Sequence, residues 1–304
     1  MTVDLIIANE NSGDYARPGL IRSTWAAIAA DDNVHALWLA DAAFVDEDDF
    51  AWRDAKNGRD YILRPSEWGY QPSLQTFGTT GANFLRFGQG TNPGPAGGTL
   101  DDTNNGALQA SNAAGVFPAQ DTASASTIQR PYAIVTAFNC PATADDGGAY
   151  PGVFAGCACR FPDSTSVTQT DWAGLGLGFG ASSNYKVFGA WRGTATGGYA
   201  ADTSNRVDGN WHVAAFLFCP DSSVGKLRIN GTQVASVSMS QNHTIRTGQE
   251  QLRVGAAGDL GEAFARTLIG DLGSIAILHA DCSSGAGLTS LEAIEDALIA
   301  DFDI

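Results

Sequence analysis

The chain has 304 residues, 36 of them glycine, with 16% charged residues and a formal net charge of −16. That charge excludes nucleic acid and anionic membrane surfaces as partners, because both are gripped through Lys/Arg patches, and lysine occurs only at Lys56, Lys186 and Lys226. The composition also excludes a helical bundle and indicates a turn-rich all-β chain, long enough for one large β domain or two small ones.

The N-terminus, MTVDLIIANENSGD, carries no basic region and only a short apolar run. It does not read as a signal peptide, so the expectation is synthesis in a cytoplasm without the usual secretory route. No apolar run approaches the ~20 residues of a membrane helix, and no membrane insertion is expected. Within residues 1–35, LIIA (Leu5–Ala8) reads as a short strand. GLIRSTWAAIAA after Pro18 reads as a short helix with Leu20, Ile21, Trp25, Ile28 and Ala29 on one face. These residues form an N-terminal arm, packed on its own domain or docked on a neighbouring subunit.

Strands are expected at ALWL (from Ala36), at Trp52-Arg53-Asp54 before an Asn57-Gly58 turn, and at Phe84–Gly88. Residues 91–130 are dominated by Gly, Asn, Ala, Ser and Thr. They read as a long excursion with short strands around Leu108 and Val116-Phe117, and as a candidate for ordering by a partner subunit. Tyr132–Phe138 reads as a buried strand. Further strands follow around Gly152–Ala155, Trp172–Gly180 and Tyr185–Arg192.

From Trp211 to Leu278 apolar and polar residues alternate between turns of Gly, Asn and Asp. This predicts successive antiparallel strands with one buried face. The end, LTSLEAIEDALIADFDI, predicts a helix capped by Thr289 or Ser290, with Leu291, Ile294, Leu298 and Phe302 as its apolar stripe. The five cysteines, Cys140, Cys157, Cys159, Cys219 and Cys282, contain no Cys-x-x-Cys pair and read as structural thiols, with one or two disulfides or a metal site as the alternatives.

Several segments in this order resemble a known family. They are LWLADA (Leu37–Ala42), WRDAKNGRDYIL (Trp52–Leu63), FLRFGQG, YAIVTAF, GNWHVAAFLF (Gly209–Phe218), KLRINGTQVA (Lys226–Ala235), LRVGAAG and FARTLIGDLGSIAIL. The resemblance, over residues 36–304, is to laminin-G-like, concanavalin A-like jelly rolls, in their phage and bacterial branch. It implies an all-β, two-sheet antiparallel jelly-roll sandwich with a short N-terminal helix and a C-terminal helix. It also implies a non-enzymatic structural protein of a bacteriophage virion, as a capsid decoration or a tail or fibre component. Homo-oligomers and other virion proteins are the partners this implies. The alternative is a carbohydrate-binding or host-receptor-binding module that recognises surface glycans.

The chemistry legible in the residues is sparse. The one acid-dense run, Asp46-Glu47-Asp48-Asp49, falls between strands and lacks the paired-carboxylate spacing of a glycosidase. The four histidines, His35, His212, His243 and His279, form no triad pattern, and no Gly-x-Ser-x-Gly elbow occurs. No catalytic residue is predicted. Trp68, Tyr70, Trp191 and Tyr199 lie in or near loops and are the candidate sugar-stacking residues. No cofactor is expected. Calcium is the one conceivable metal, since rim loops of this fold offer oxygen ligands, with Asp259, Glu262 and Asp271 as candidates.

Overall fold

A computed structural model describes residues 5–6, 20–21, 23–48, 50–56, 61–65, 71–87, 108–110, 119–120, 126–128, 131–140, 153–157, 174–179, 186–192, 197–219, 222–238, 243–245, 252–255, 268 and 270–304. Two antiparallel sheets dominate. The first is eight-stranded. It runs from the edge strand Thr232–Ser238 through Val224–Ile229, Trp211–Cys219 and Tyr132–Asn139 to Gly270–Leu278. The far side of Gly270–Leu278 is shared between Asn83–Phe87, followed by Ser73–Thr76, and Val34–Trp38. The second is nine-stranded, in the order Gly197–Ala201, Val187–Arg192, Gly174–Phe179, Val153–Cys157, Leu252–Val254, Leu108–Ala110, Ile62–Pro65, Ala51–Arg53 and Val45–Asp46. The protein is a two-sheet jelly-roll sandwich with one helix near each end of the chain.

The sheets enclose one apolar cluster that includes Trp38, Trp52, Phe87, Phe138, Phe154, Phe216 and Phe218. A second cluster lies on the outer face of the first sheet, beneath helices α1 (Ser23–Ala30) and α2 (Gly285–Phe302). The molecule therefore has three layers: sheet, sheet and helices. This corrects the expectation of strands with one buried face. Every residue of Trp211–Cys219 and of Gly270–Leu278 is buried. In Trp211–Cys219, Ala214, Phe216 and Phe218 enter the inter-sheet core, and Val213, Ala215 and Leu217 pack under the helices. A strand covered on both faces reads as a near-continuous apolar run. The expected alternation survives in Val224–Ile229, where buried and half-buried residues alternate. Its hairpin to Thr232–Ser238 turns at Asn230 and Gly231, with φ of 49° and 75°, the positive values that an Asn-Gly pair tolerates.

Leu108–Ala110, from the glycine-rich stretch, does not leave the domain. It sits inside the second sheet, between Leu252–Val254 and Ile62–Pro65, with Leu108 and Ala110 fully buried. Val116 and Phe117 lie outside the described residues.

The predicted N-terminal helix is shorter than its apolar pattern. Leu20–Ile21 pairs with Leu5–Ile6 as a strand, and α1 begins at Ser23. Residues 23–30 pack on their own domain, where Trp25 Nε1 donates to Asp301 Oδ2 of α2 at 2.9 Å. The predicted caps of α2 are also corrected. Its N-cap is Ser284, while Thr289 and Ser290 lie inside the helix and donate back to the carbonyls of Gly285 and Ala286. Leu291, Ile294, Leu298 and Phe302 form the buried stripe.

Arg228 ties the first sheet to α2. Its Nε lies 3.0 Å and its Nη2 2.8 Å from the two carboxylate oxygens of Glu295, a residue only 1% exposed. Cys140, Cys219 and Cys282 are buried free thiols. Burial is the main cause that pushes Cys219 up to about 11 and Cys282 up to about 12, so both stay protonated and unreactive. Among the described residues, no helix is long and apolar enough to cross a membrane.

Candidate functional site

One end of the first sheet presents a ladder of side chains on its helix-bearing face. Backbone register sets Ser73 beside Arg86, Arg86 beside Asp271, Asp271 beside Asn139, and Asn139 beside Trp211. Residues directly opposite on adjacent strands share a face, and their side chains meet. The turn after Ser73–Thr76 adds Phe77 and Gly78, and the loop before Trp211 adds Gly209. Together they surround an open cleft of about 320 Å³.

Its polar centre is the Arg86–Asp271 pair. Arg86 Nε and Nη2 donate to the two Asp271 oxygens at 2.8 and 2.9 Å. This fork geometry is the strong, bidentate form of an ion pair. The hydrogen bonds to Asp271 raise the Arg86 pKa further, so the guanidinium stays charged. The Arg86 side chain keeps 34% of its surface, against 12% for Asp271. Asn139 Nδ2 donates to the carbonyl of Gly209 at 2.9 Å, and the Gly209 amide donates to the Cys140 carbonyl. Gly209 has a φ of 79°, which an L side chain rarely adopts.

Its apolar wall is aromatic. Phe84 meets Trp211 edge-on at 5.3 Å and Phe77 meets it at 6.2 Å. Behind Trp211 lies Phe302 of α2, stacked at 3.8 Å. The Arg86 guanidinium sits 5.3 Å from the Phe84 ring centroid. On the opposite face of the same strand His212 Nε2 lies 3.1 Å from Asp208 Oδ1. Burial pulls the Asp208 pKa up, but hydrogen bonds from Asn210 and His212 outweigh it and leave the carboxyl below its ordinary value.

The sequence-predicted residues fall elsewhere. Trp68, Tyr70, Asp259 and Glu262 lie outside the described residues. Trp191 belongs to the strand Val187–Arg192, paired with Gly198, while Tyr199 pairs with Ala190. Tyr199 is 38% exposed and meets Phe188 edge-on at 5.3 Å. Asp271 is the one predicted metal ligand that is described, and each of its oxygens accepts one hydrogen bond from Arg86. Among the described residues, no group of three or more His, Cys, Asp or Glu side chains is placed to hold a metal ion.

Arg86 and Asn139 carry no sequence signal of their own, and Trp211 reads in sequence as packing alone. The spacing Phe84-x-Arg86 puts both on one strand face, which is legible. That Asp271 and Trp211 arrive on the same face is not.

No family model matches the chain, and no curated protein matches it in sequence. Solved structures do match in three dimensions. The receptor binding domain of botulinum neurotoxin D aligns with a TM-score of 0.54 at 10% identity, over 90% of this chain and 54% of that one. The botulinum neurotoxin serotype D binding domain gives 0.53 at 9% identity, over 88% and 52%. The binding domain of Paraclostridial Mosquitocidal Protein 1 gives 0.51 at 8% identity, over 88% and 52%. The likeness is one of fold. The chain spans about half the length of these structures. Sites on a shared fold diverge freely, so the cleft is judged on its own residues.

Proposed function

We propose that this chain is a carbohydrate- or receptor-binding module rather than an enzyme. The observation that carries the reading is the cleft at the end of the first sheet. It sets an aromatic wall of Phe77, Phe84 and Trp211 beside the donors and acceptors of Arg86, Asp271 and Asn139. Apolar faces flanked by a few placed polar groups are what small-ligand sites need. Glycoside hydrolysis would need two carboxylates across the scissile bond. The lining of this cleft holds one, Asp271, already bound to Arg86. The solved structures similar in fold are named as binding domains, which agrees with this reading.

The virion role implied by the sequence resemblance gains no support from those structures. Co-purification with phage particles is the measurement that bears on it.

The test is binding of the full chain to an immobilised glycan panel, compared with Gly78→Trp. Gly78 lines the cleft, and a Cβ there meets nothing within 4 Å, so a bulky side chain at the cleft rim leaves the fold undisturbed. The expected result is a defined glycan bound by the native chain and lost in Gly78→Trp at unchanged melting temperature. Absence of any glycan or receptor ligand overturns the reading. Binding that survives Gly78→Trp moves the site away from the cleft.

A further inference from the structure

We propose that the cleft selects neutral sugars by clasping a pair of adjacent hydroxyls between Arg86 and Asp271. This rests on the binding-module reading and specifies its ligand class.

The argument begins with hydrogen-bond capacity. Arg86 uses Nε and Nη2 on Asp271, so the donors on Nη1 are not used in that pair. A carboxylate offers about four acceptor positions, and the fork occupies one on each oxygen. Unused donors of Arg86 and unused acceptor positions of Asp271 therefore belong to one pair at the polar centre. Two neighbouring hydroxyls match them: one accepts from the guanidinium while the other donates to the carboxylate. Asn139, whose amide nitrogen is spent on Gly209, keeps its amide oxygen as a further acceptor.

Charge narrows the choice. The pair is neutral as a unit. An anionic sugar would meet a guanidinium already compensated by Asp271, in a chain of net charge −16. A cationic ligand would meet the same guanidinium and find no unpaired carboxylate in the lining. Desolvating an ion without a partner is costly, whereas hydroxyls exchange water for the pair at little cost. The rims of Phe77, Phe84 and Trp211 supply the apolar part of the lining, with Phe84 6% and Trp211 8% exposed. The volume of about 320 Å³ lies at the lower end of small-ligand sites, which span roughly 300–1,000 Å³.

The experiment titrates the full chain by calorimetry and saturation-transfer NMR with three methyl glycosides of one hexose series: neutral, uronic acid and amino sugar. The neutral glycoside is expected to bind about tenfold or more tightly than the other two, and to lose a similar factor when either adjacent hydroxyl is removed. In Asp271→Asn, neutral binding falls and the uronic acid gains, because Arg86 loses its counter-charge. A uronic acid that equals or exceeds the neutral sugar in the native chain overturns the inference. So does an unchanged order of ligands in Asp271→Asn. Should that variant fail to fold, the native selectivity decides alone. Failure of all three glycosides while a panel glycan still binds sinks only the diol clasp; failure on the panel as well sinks the binding-module reading itself. Binding indifferent to Arg86 and Asp271 sinks only the diol clasp.

Discussion

Trp211 lies flat on Phe302, with ring centroids 3.8 Å apart and an interplanar angle of 16°. The contact joins the first residue of a central strand to the last turn of α2. It also backs the cleft, since Trp211 forms part of the lining. Phe302 is 2% exposed and also packs against Phe77. Phe302→Ala should therefore cost about 3–5 kcal/mol of stability, the usual range for a buried Phe truncation. Phe302→Leu refills most of the space and forfeits the ring stack, worth about 0.5–1.5 kcal/mol beyond burial. Urea titrations of both variants give the two costs. An Ala variant as stable as the native chain would show that α2 is not anchored here.

Arg228 and Glu295 form the buried link between the first sheet and α2, and their coupling predicts a pH dependence. Burial raises the Glu295 pKa, and Arg228 pulls it back only in part. The folded pKa thus lies above the unfolded one of about 4.3. A raised carboxyl contributes stability in full below the unfolded pKa, and this contribution is lost as pH rises through the folded value. Arg228→Ala leaves the carboxylate buried without its partner. It should cost about 3–5 kcal/mol at pH 7 and less at pH 4, where Glu295 takes up a proton. Denaturant midpoints at both pH values check this. A penalty at pH 4 equal to that at pH 7 would contradict it.

Gly189 sets how closely the two sheets approach. A Cβ built there would lie 1.9 Å from Cδ2 of Phe216 in the facing sheet. Phe216 is fully buried and has no room to swing aside. Gly189→Ala should cost about 1–3 kcal/mol or more by overpacking. Gly78→Ala, in open space, should stay within about 0.5 kcal/mol of native. Parallel thermal melts of the two variants separate local strain from a general effect of losing a glycine.

Much of the fold is legible in the residues because its causes are local. The stripe of α2, the Asn230-Gly231 hairpin and the alternation around Lys226 each lie within a few residues, where periodicity and turn chemistry act. Misreadings occur where a distant element changes the environment. Trp211–Cys219 seemed half-buried by pattern, but α2 covers its outer face. Ser290 resembles a cap, yet the helix begins earlier, at Gly285 after the N-cap Ser284, and its first turn lies close to Asp281. Gly287 shows this closeness: a Cβ there would lie 2.2 Å from the Asp281 carbonyl.

The sequence by itself determined the strand-rich class and the terminal helices, since composition and short-range period carry these. Tertiary structure alone decided the third layer, the insertion of Leu108–Ala110 into the second sheet, and the cleft. Arg86 and Asp271 are 185 residues apart in the chain and hydrogen-bonded in space. Their meeting depends on cross-strand register among Asn83–Phe87, Gly270–Leu278, Tyr132–Asn139 and Trp211–Cys219. Register is set by the packing of whole faces, so no local run of residues records which side chains it will bring together.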